Sequence, residues 1–285
     1  MSSADGPRTT RSEQAGRAVV AMATAAHFVP TVAVTAFGTA LGAVAGLSAG
    51  RVTLLAAALL TGQLSIGWLN DLSDAGRDST ADRLEKPLAA GLVSRRVVRT
   101  GVAVAAVACV ALSLALGWLP GVLHLVAVGS AWGYNLWLKF TPLSWVPFLI
   151  SFALLPAVAA TAAGRGPDAA VVVAAGLLGV AAHFANTVPD ARADRLTGVR
   201  GMPQRLGPAL SRVVAAGGVV VACGVLLVAP ELGFGPALSL PATGLLAAAS
   251  VAGALSALVP VRHAFDAVMG AAALALAGVV ASALG

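Results

Sequence analysis

Long apolar segments follow one another along almost the whole chain and limit its fold more than any other feature. A helix needs about 20 consecutive, mostly apolar residues to cross the hydrocarbon core of a bilayer. Of the 285 residues, 58% are hydrophobic and 11% are charged, and the mean hydropathy is +0.89, unlike an ordinary soluble domain. We therefore predict an all-α, polytopic membrane protein. Its nine predicted transmembrane spans are 20–47, 52–72, 97–117, 119–138, 143–163, 168–188, 208–229, 239–259 and 264–284.

The placement of basic residues supports this arrangement of spans. If the N-terminus lies in the cytoplasm, all of the 18 Lys and Arg residues except Arg51 and Arg165 fall on the cytoplasmic side. Cytoplasmic loops of membrane proteins carry an excess of basic residues. We therefore predict a multi-pass protein of the cytoplasmic membrane, with its N-terminus inside and its C-terminus outside. This topology explains the net charge of +6 without a nucleic-acid partner.

The same pattern predicts the domain organisation. Residues 1–16 are polar and rich in Ser, Thr and Arg, and we predict a disordered cytoplasmic segment there. The apolar run after Arg17 is too long for the core of a signal peptide, so we interpret it as the first span. Residues 17–285 contain no evident linker and are expected to form a single transmembrane domain.

Two acidic clusters lie where predicted spans end, both at the cytoplasmic face. Each has the pattern Asn-x-x-x-Asp-x-x-x-Asp, which on a helix places three side chains on one face, with Cβ atoms about 5–6 Å apart. Stacked carboxylates repel each other unless a cation lies between them, so the clusters indicate a pair of divalent-metal sites sharing one anionic ligand. The first cluster is Asn70, Asp74 and Asp78, and the second is Asn186, Asp190 and Asp194.

Three segments of the chain together resemble the UbiA superfamily of intramembrane prenyltransferases. Segment 70–91, which reads Asn-Asp-x-x-Asp-x-x-x-Asp and continues to Lys-Pro-Leu and Gly, resembles the first signature of the family. Segment 190–207, with Asp-x-x-x-Asp, Gly-Val-Arg and Arg-Leu-Gly, resembles the second. Segment 134–141, Tyr-Asn-Leu-Trp-Leu-Lys-Phe-Thr, resembles the stretch after the fourth helix. The resemblance extends from the second to the seventh predicted span, in the order of the family.

This resemblance implies nine transmembrane helices around a central cavity that is open to cytoplasm and lipid. It also implies that a prenyl diphosphate binds through Mg²⁺, with two ions expected. The sequence departs from the family at Thr187, where many members carry another acid, and at Phe140, where some carry a second basic residue. The second departure leaves the acceptor open. The implied metal ligands are Asn70, Asp74, Asp78, Asp190 and Asp194.

Carboxylate clusters suit Mg²⁺ better than Zn²⁺, because Mg²⁺ prefers hard oxygen ligands. Two ions bridging a diphosphate would neutralise the leaving group as the allylic C–O bond breaks. Lys139 is expected to act in catalysis together with the four aspartates Asp74, Asp78, Asp190 and Asp194. The basic residues that could complete the anion site are Arg83, Lys86, Lys139, Arg195 and Arg200.

Ionisation leaves an allylic cation, which an apolar cavity protects from water while it holds the prenyl tail. The aromatic faces of Tyr134 and Trp68 could stabilise this cation, or they could simply pack at the membrane interface. His183 lies seven residues before Asp190, about 10 Å deeper along a helix. It could contact the acceptor, take the final proton, or form a structural hydrogen bond to a neighbouring helix. His27 in the first span has the same alternatives.

The sequence therefore predicts a Mg²⁺-dependent enzyme that transfers a (poly)prenyl group from its diphosphate to an acceptor. The expected acceptor is aromatic, either a quinone precursor or another phenol, although a lipid alcohol remains open. A terpene cyclase of the same fold is the alternative, since both reactions share the ionisation motifs. An ion-coupled transporter is a remote alternative, because its charged site would lie near the membrane midplane rather than at helix ends.

Overall fold

The computed structural model describes residues 16, 20–80, 86–234 and 237–284. Within these ranges the regular structure is entirely helical and no strand occurs, in agreement with the predicted fold class. Residues 20–25 are also helical and precede the first long helix. The helices are α1 (Phe28–Val44), α2 (Ala49–Thr80), α3 (Arg95–Ala115), α4 (Trp118–Leu136), α5 (Val146–Ala162), α6 (Ala169–Thr187), α7 (Ala191–Leu196), α8 (Met202–Val228), α9 (Leu240–Ser256) and α10 (Ala264–Leu284).

Each of the nine predicted spans overlaps one long helix in the described part of the chain. The first predicted span, 20–47, is not continuous, because the chain turns at residues 26–27 and the long helix begins at Phe28. The apolar helices α1, α5 and α9 have 17 residues. That is about 26 Å of helix, slightly less than the bilayer core of about 30 Å. The chain is a multi-pass membrane protein, and the number of nine crossings remains a prediction. Among the residues that the structure describes, the helices long and apolar enough to cross a membrane are Ala49–Arg77, Arg95–Ala115, Ala169–Thr187, Met202–Val228 and Val261–Ala283.

Two helices extend beyond their predicted spans, and both extensions carry polar groups. Helix α2 continues to Thr80, although its predicted span ends at residue 72, and α8 already begins at Met202. Hydropathy identifies the part of a helix that lies in lipid, whereas the helix itself can continue into water with its backbone bonds intact. In α8 the first turns are set at an angle by Gly207, which has a φ of 81° and precedes Pro208.

Small residues allow the helices to approach each other closely. A Cβ atom at Gly179 of α6 would lie 2.5 Å from the carbonyl oxygen of Phe148 in α5. The largest buried cluster, between α6, α8, α9 and α10, includes Ala181, Val219 and Leu246. Because lipid is as apolar as these side chains, close packing rather than the hydrophobic effect holds such helices together. Consecutive long helices pack side by side, and α1 also contacts α5 and α10.

Two arginine side chains join helix ends that are distant in sequence. Arg51 at the start of α2 donates through Nη2 to the carbonyl oxygens of Leu116, at 2.6 Å, and Ala162, at 2.9 Å. These carbonyls lie at the C-terminal ends of α3 and α5, where the helix itself provides no donor. Arg212 of α8 similarly donates to carbonyls at the end of α9. Charge distribution alone assigned these residues only a topological role.

Two neighbouring cavities lie between α1, α5, α6, α8 and α10. The smaller, about 70 Å³, is lined by apolar side chains that include Phe152, Leu178 and Ala182. The larger, about 240 Å³, extends towards the loop containing Arg165. Leu41 and several other residues line both cavities. The bundle thus contains apolar internal space. This space lies further into the membrane than the ends of α2 and α6 that are predicted to face the cytoplasm.

Candidate active site

The extension of α2 carries the first acidic cluster. Asn70 donates through Nδ2 to Oδ1 of Asn135 in α4, at 3.0 Å. Asn135 in turn donates to the carbonyl of Ile66, at 3.0 Å. This buried amide therefore fixes the Asn70 side chain, which also has the His27 ring as a hydrogen-bonding neighbour. Asp78 also lies in α2, but its side chain is outside the described part of the structure.

Asp74 is the centre of a compact charged group. Its Oδ1 forms ion pairs with Arg77, one turn further along α2, and with Lys139. Lys139 lies in a 3-10 turn after α4, is only 4% exposed, and also donates to Ser73 Oγ at 3.1 Å. A buried ammonium group needs such partners, because its desolvation is otherwise costly. The structure thus brings together two of the predicted catalytic residues, Asp74 and Lys139.

Arg77 belongs to this group although the sequence interpretation did not select it. Its guanidinium lies 4.9 Å from the ring centre of Phe140, and the Lys139 ammonium lies 5.6 Å from the same centre. Phe140 carries no charge, but its ring face favours nearby cations. Phe140 stands where some UbiA members carry a basic residue. In this chain its ring instead packs beside two basic side chains, Arg77 and Lys139. The i,i+3 spacing from Asp74 was the available sequence signal for Arg77.

His27 and Lys86 meet at the same end of the bundle. The His27 Nε2 and Lys86 Nζ atoms are 3.1 Å apart. His27 separates residues 20–25 from α1 and has a φ of 53°, a left-handed conformation that is uncommon for residues other than glycine. Its ring also interacts electrostatically with Asp74 and Lys139. The structure therefore places both His27 and the predicted diphosphate ligand Lys86 beside the first cluster.

The second cluster differs from the expected single helical face. Helix α6 ends at Thr187, residues 188–190 form a turn, and α7 begins at Ala191. Pro189 explains the break, since proline cannot donate its backbone nitrogen to a continuing helix. The prediction that Asn186, Asp190 and Asp194 follow one continuous helix is therefore wrong. Asn186 and Asp190 are both exposed.

Gln204, in the first turn of α8, holds the Asp194 carboxylate. Its Nε2 donates to Asp194 Oδ2 at 2.8 Å, and the Gln204 side chain is 9% exposed. This contact fixes one oxygen and the orientation of a predicted metal ligand. The sequence interpretation missed Gln204, since it lies outside the Asp-x-x-x-Asp pattern.

Two of the predicted diphosphate ligands make contacts away from the Asp74 group. Arg195 Nε donates to the carbonyl of Ala191, at 3.2 Å, within its own helix. Arg200 is exposed, and its carbonyl oxygen accepts a hydrogen bond from Arg205. Arg83 lies outside the described residues. A role of Arg83, Arg195 and Arg200 in diphosphate binding therefore stays a prediction.

Tyr134 lies near residues of both acidic clusters, Asp74 of α2 and Asp194 of α7. Its ring packs edge-on against Phe148, at 5.0 Å between ring centres, and against His183, at 5.5 Å. Tyr134 is therefore part of the site. It also connects the site to a group of packed rings, Phe148, His183 and Phe184, which we call the aromatic layer. The indole nitrogen of Trp68 instead donates to the carbonyl of Met22, at 2.9 Å. The Trp68 ring packs against a buried apolar cluster that includes Leu88 and Val98.

His183 lies in this aromatic layer and is 1% exposed. Its ring centre is 4.6 Å from that of Phe148 and 5.7 Å from that of Phe184. Its Nε2 atom lies 3.0 Å from Ser144 Oγ, in the turn before α5. The hydrogen bond to a neighbouring element, one of the predicted alternatives, is therefore present.

The donor set suits a hard divalent cation. Among the side chains that the structure describes, no three His, Cys, Asp or Glu groups lie close enough to enclose a metal ion by themselves. Mg²⁺ commonly binds through one or two carboxylates and completes its shell with water and phosphate oxygens. Oδ1 of Asn70 and the carboxylates of Asp74, Asp190 and Asp194 are all hard oxygen ligands. The residues therefore fit Mg²⁺ bound together with a phosphate ligand.

The fold is similar to those of several solved structures. A UbiA homologue from Aeropyrum pernix K1 has 20% sequence identity and a TM-score of 0.73, with 88% of this chain and 96% of that chain covered. A UbiA homologue from Archaeoglobus fulgidus bound to GPP and Mg²⁺ has 16% identity and a TM-score of 0.63, covering 92% and 99%. A structure described as digeranylgeranylglyceryl phosphate synthase has 13% identity and a TM-score of 0.70, covering 94% and 99%.

Sequence comparison gives the family. No curated protein sequence matches the chain significantly. The pattern that defines the UbiA prenyltransferase family matches residues 28–279, which include both acidic clusters and the segment between them. Because this match covers most of the chain, the chain belongs to the UbiA prenyltransferase family, a family of enzymes that transfer prenyl groups.

Proposed function

We propose that the chain transfers a (poly)prenyl group from its diphosphate to an acceptor, in a reaction that requires Mg²⁺. The observation that carries this proposal is the ion pair between the buried ammonium of Lys139 and Asp74. Tyr134 lies near both Asp74 and Asp194, so acidic residues from two distant segments would flank one anion site. A protein of the same fold from Archaeoglobus fulgidus binds GPP and Mg²⁺, which supports this assignment.

Mg²⁺ would be held by the two acidic clusters, and we propose two ions. Bound there, the metal would neutralise charge on the departing diphosphate. Gln204 keeps the Asp194 carboxylate oriented towards this role, and Asn135 does the same for Asn70. The proposed ligands are Asn70, Asp74, Asp78, Asp190 and Asp194.

Lys139, Arg77 and Lys86 would form the cationic wall of the diphosphate site. Lys139 and Arg77 share Oδ1 of Asp74, so their charges are held in place before substrate arrives. Prepositioned cations stabilise charge that develops on a leaving group without reorganising during the reaction. Lys86 lies beside His27 at the same end of the bundle. Arg83, Arg195 and Arg200 are further candidates for this wall.

The transfer step is balanced within the two substrates. The bond between C1 of the prenyl group and the diphosphate oxygen breaks, and both electrons leave with the diphosphate. An electron pair of the acceptor forms the new bond to C1, and the acceptor then releases a proton. Tyr134 and Phe148 present aromatic rings beside the site, where they can stabilise the allylic cation. The apolar cavities beyond Ala182 would exclude water and accommodate the tail.

We propose an aromatic acceptor, such as a quinone precursor or another phenol. A terpene cyclase would use the same ionisation site, and the dependence on an acceptor distinguishes the two reactions. We also propose a single transmembrane domain over residues 17–285, nine crossings of the cytoplasmic membrane and an active site facing the cytoplasm. The basic residues around the site support this orientation. The proposed N-terminal segment, residues 1–16, lies outside the described residues except for Gly16.

The decisive experiment measures diphosphate release and prenylated product with purified protein, Mg²⁺ and geranyl, farnesyl or geranylgeranyl diphosphate. Each donor is supplied with and without a phenolic acid, and EDTA provides the metal-free control. Release and a prenylated phenol that both require the acceptor support the proposal. Release without an acceptor, accompanied by a cyclic hydrocarbon, identifies a cyclase. No release from any donor under any of these conditions contradicts the proposed reaction.

A further inference from the structure

One buried polar atom beside the proposed site has no protein partner. His183 is 1% exposed, and its Nδ1 forms no hydrogen bond to any described residue. Buried polar side-chain atoms are nearly always hydrogen-bonded, because leaving one unpaired costs free energy. The other ring nitrogen, Nε2, already lies 3.0 Å from Ser144 Oγ. The ring thus has one satisfied and one unsatisfied nitrogen.

The contacts of Ser144 determine which nitrogen carries the proton. Ser144 Oγ accepts a hydrogen bond from the backbone N–H of Met202, at 2.9 Å. A serine hydroxyl has one proton to donate, and no other acceptor for it occurs among the described residues. If the hydroxyl donates to His183 Nε2, only Nδ1–H remains unpaired. If Nε2–H donates instead, both the serine proton and Nδ1 remain unpaired, which is less favourable.

The favoured tautomer therefore carries its proton on Nδ1. Met202 is the first residue of α8, the helix that also carries Gln204 and so orients Asp194. Ser144 is 1% exposed and connects this helix start to the His183 ring. In this tautomer the lone pair on Nε2 accepts from Ser144 and the Nδ1–H donor is unused.

The position of His183 relates this donor to the acceptor rather than to the diphosphate. Tyr134 lies between His183 and the acidic clusters, and Phe148 and Phe184 pack around the same ring. The next residue towards the N-terminus, Ala182, lines the apolar cavity. The His183 ring is therefore linked to the charged site through Tyr134 and follows a cavity-lining residue in sequence. The aromatic side chains around it are of the kind that also pack against a flat aromatic molecule.

We propose, on the basis of the proposed function, that Nδ1–H of His183 donates a hydrogen bond to a neutral oxygen of the prenyl acceptor. The acceptor would then be an aromatic molecule with a phenolic hydroxyl or a keto oxygen. In this tautomer His183 binds the acceptor and does not take its proton, since Nδ1 is already protonated and Nε2 accepts from Ser144. Ser144 is a positioning residue that sets the tautomer.

Nuclear magnetic resonance of protein with ¹⁵N-labelled histidine tests the tautomer directly. The signals of His183 are assigned by their loss in His183→Phe. Neutral His183 in the wild type is expected to show a protonated Nδ1, and Ser144→Ala is expected to shift the population towards Nε2–H. A wild-type ring protonated at Nε2 overturns the proposal. This measurement does not depend on whether the enzyme turns over.

Binding of two matched probes tests the acceptor. The probes are 1-naphthol and naphthalene, which differ by the hydroxyl oxygen. We expect 1-naphthol to shift the His183 Nδ1 signal, and His183→Phe to weaken its binding about tenfold, as the loss of one hydrogen bond predicts. Naphthalene is expected to leave the Nδ1 signal unchanged and to bind both proteins equally. His124→Gln provides the control, because His124 is a buried histidine that bonds to Ser113, outside the site.

Donor binding on the same samples separates the two proposals. Mg²⁺-dependent binding of GPP is expected in the wild type and unchanged in His183→Phe, which also shows that this variant is folded. If the wild type does not bind GPP, the proposed function fails. If GPP binding is intact but His183→Phe binds 1-naphthol as tightly as the wild type does, the assignment of His183 fails and the proposed function does not.

Discussion

Lys139, which follows α4, forms a buried ion pair with Asp74 of α2. A cation proposed to meet the diphosphate is therefore held by a carboxylate proposed to bind the metal. On this proposal Asp74 would bind the metal and Lys139 the diphosphate, so the charges in the site would remain balanced. An ion pair that is only 4% exposed on the lysine side would otherwise have little reason to occur at the end of a membrane helix.

Replacement of Lys139 tests this relationship. We expect Lys139→Met to lower kcat/KM for the prenyl diphosphate at least about 100-fold, since a positioned charge near a leaving group contributes several kcal/mol. Lys139→Arg keeps the charge and is expected to retain part of the activity. Diphosphate release and thermal unfolding are measured for both variants. Full activity of a folded Lys139→Met protein contradicts a role for this ammonium.

The acidic clusters are tested by removing one charge from each. Asp74→Asn and Asp190→Asn are expected to abolish turnover with little effect on membrane insertion, because they remove proposed metal ligands near helix ends. Asp266→Asn is the matched control, since this carboxylate is 75% exposed in the first turn of α10. Asp82→Asn, outside the described residues, is expected to have a milder effect. Equal activity of Asp190→Asn and the wild type would contradict the two-cluster metal site.

Gln204 is expected to affect metal affinity more than catalysis. Residues that orient a metal ligand typically change metal affinity about 10–100-fold when removed. We therefore expect Gln204→Ala to raise the Mg²⁺ concentration for half-maximal activity by at least about tenfold, with kcat at saturating Mg²⁺ largely retained. A Mg²⁺ titration of diphosphate release measures both quantities. An unchanged Mg²⁺ dependence means that the hydrogen bond to Asp194 has no role in metal binding.

The helices could be predicted from sequence because the bilayer leaves few alternatives. A segment in lipid must satisfy its backbone hydrogen bonds internally, so each long apolar run forms a helix. The same reasoning did not find where helices end in water, as the extension of α2 to Thr80 shows. The break between α6 and α7 was predictable in principle, since Pro189 stands inside the second cluster. The helical spacing of the acidic residues predicts a continuous helix, whereas Pro189 predicts a break, and the structure shows the break.

The site was predictable where a local pattern carried it and not where distant segments meet. Spacing and motif context indicated Asp74 and Lys139, and the structure brings them together. Lys86 and His27, which are in contact, are 59 positions apart in the sequence, and a local sequence pattern cannot predict such a pair. Ser144 was not predicted for the same reason. Its role depends on its hydrogen bonds to His183 and Met202, which are distant in sequence.

Helix packing beside the aromatic layer provides a test that involves no catalytic group. A Cβ at Gly179 would lie 2.5 Å from the Phe148 carbonyl oxygen and 2.7 Å from Phe152 Cβ, so Gly179→Ala must push α5 away from α6. Overpacking of this kind costs about 1–3 kcal/mol. Gly224→Ala in α8 is the control, since no atom lies within 4 Å of its Cβ position. Thermal unfolding of the two variants is compared, and equal stability would contradict the observed contact.

Arg51 is expected to stabilise the fold without contributing to substrate binding. Its two hydrogen bonds to the ends of α3 and α5 are charge-assisted, and each such bond is worth about 1.5–3 kcal/mol. Both bonds come from the single Nη2 of an exposed side chain. We therefore expect Arg51→Leu to lower the free energy of unfolding by about 1.5–3 kcal/mol in total, while KM for the prenyl diphosphate stays unchanged. Arg165→Leu removes the other basic residue assigned to this side of the membrane. Arg165 is also exposed, but unlike Arg51 its side chain forms no hydrogen bond to a described residue, so its loss is expected to change stability by about 0.5 kcal/mol or less. Thermal unfolding measures stability, and a donor titration measures KM. If both variants unfold alike, Arg51 serves topology only, whereas a raised KM in Arg51→Leu would mean that helix ends at the far side of the bundle influence the diphosphate site.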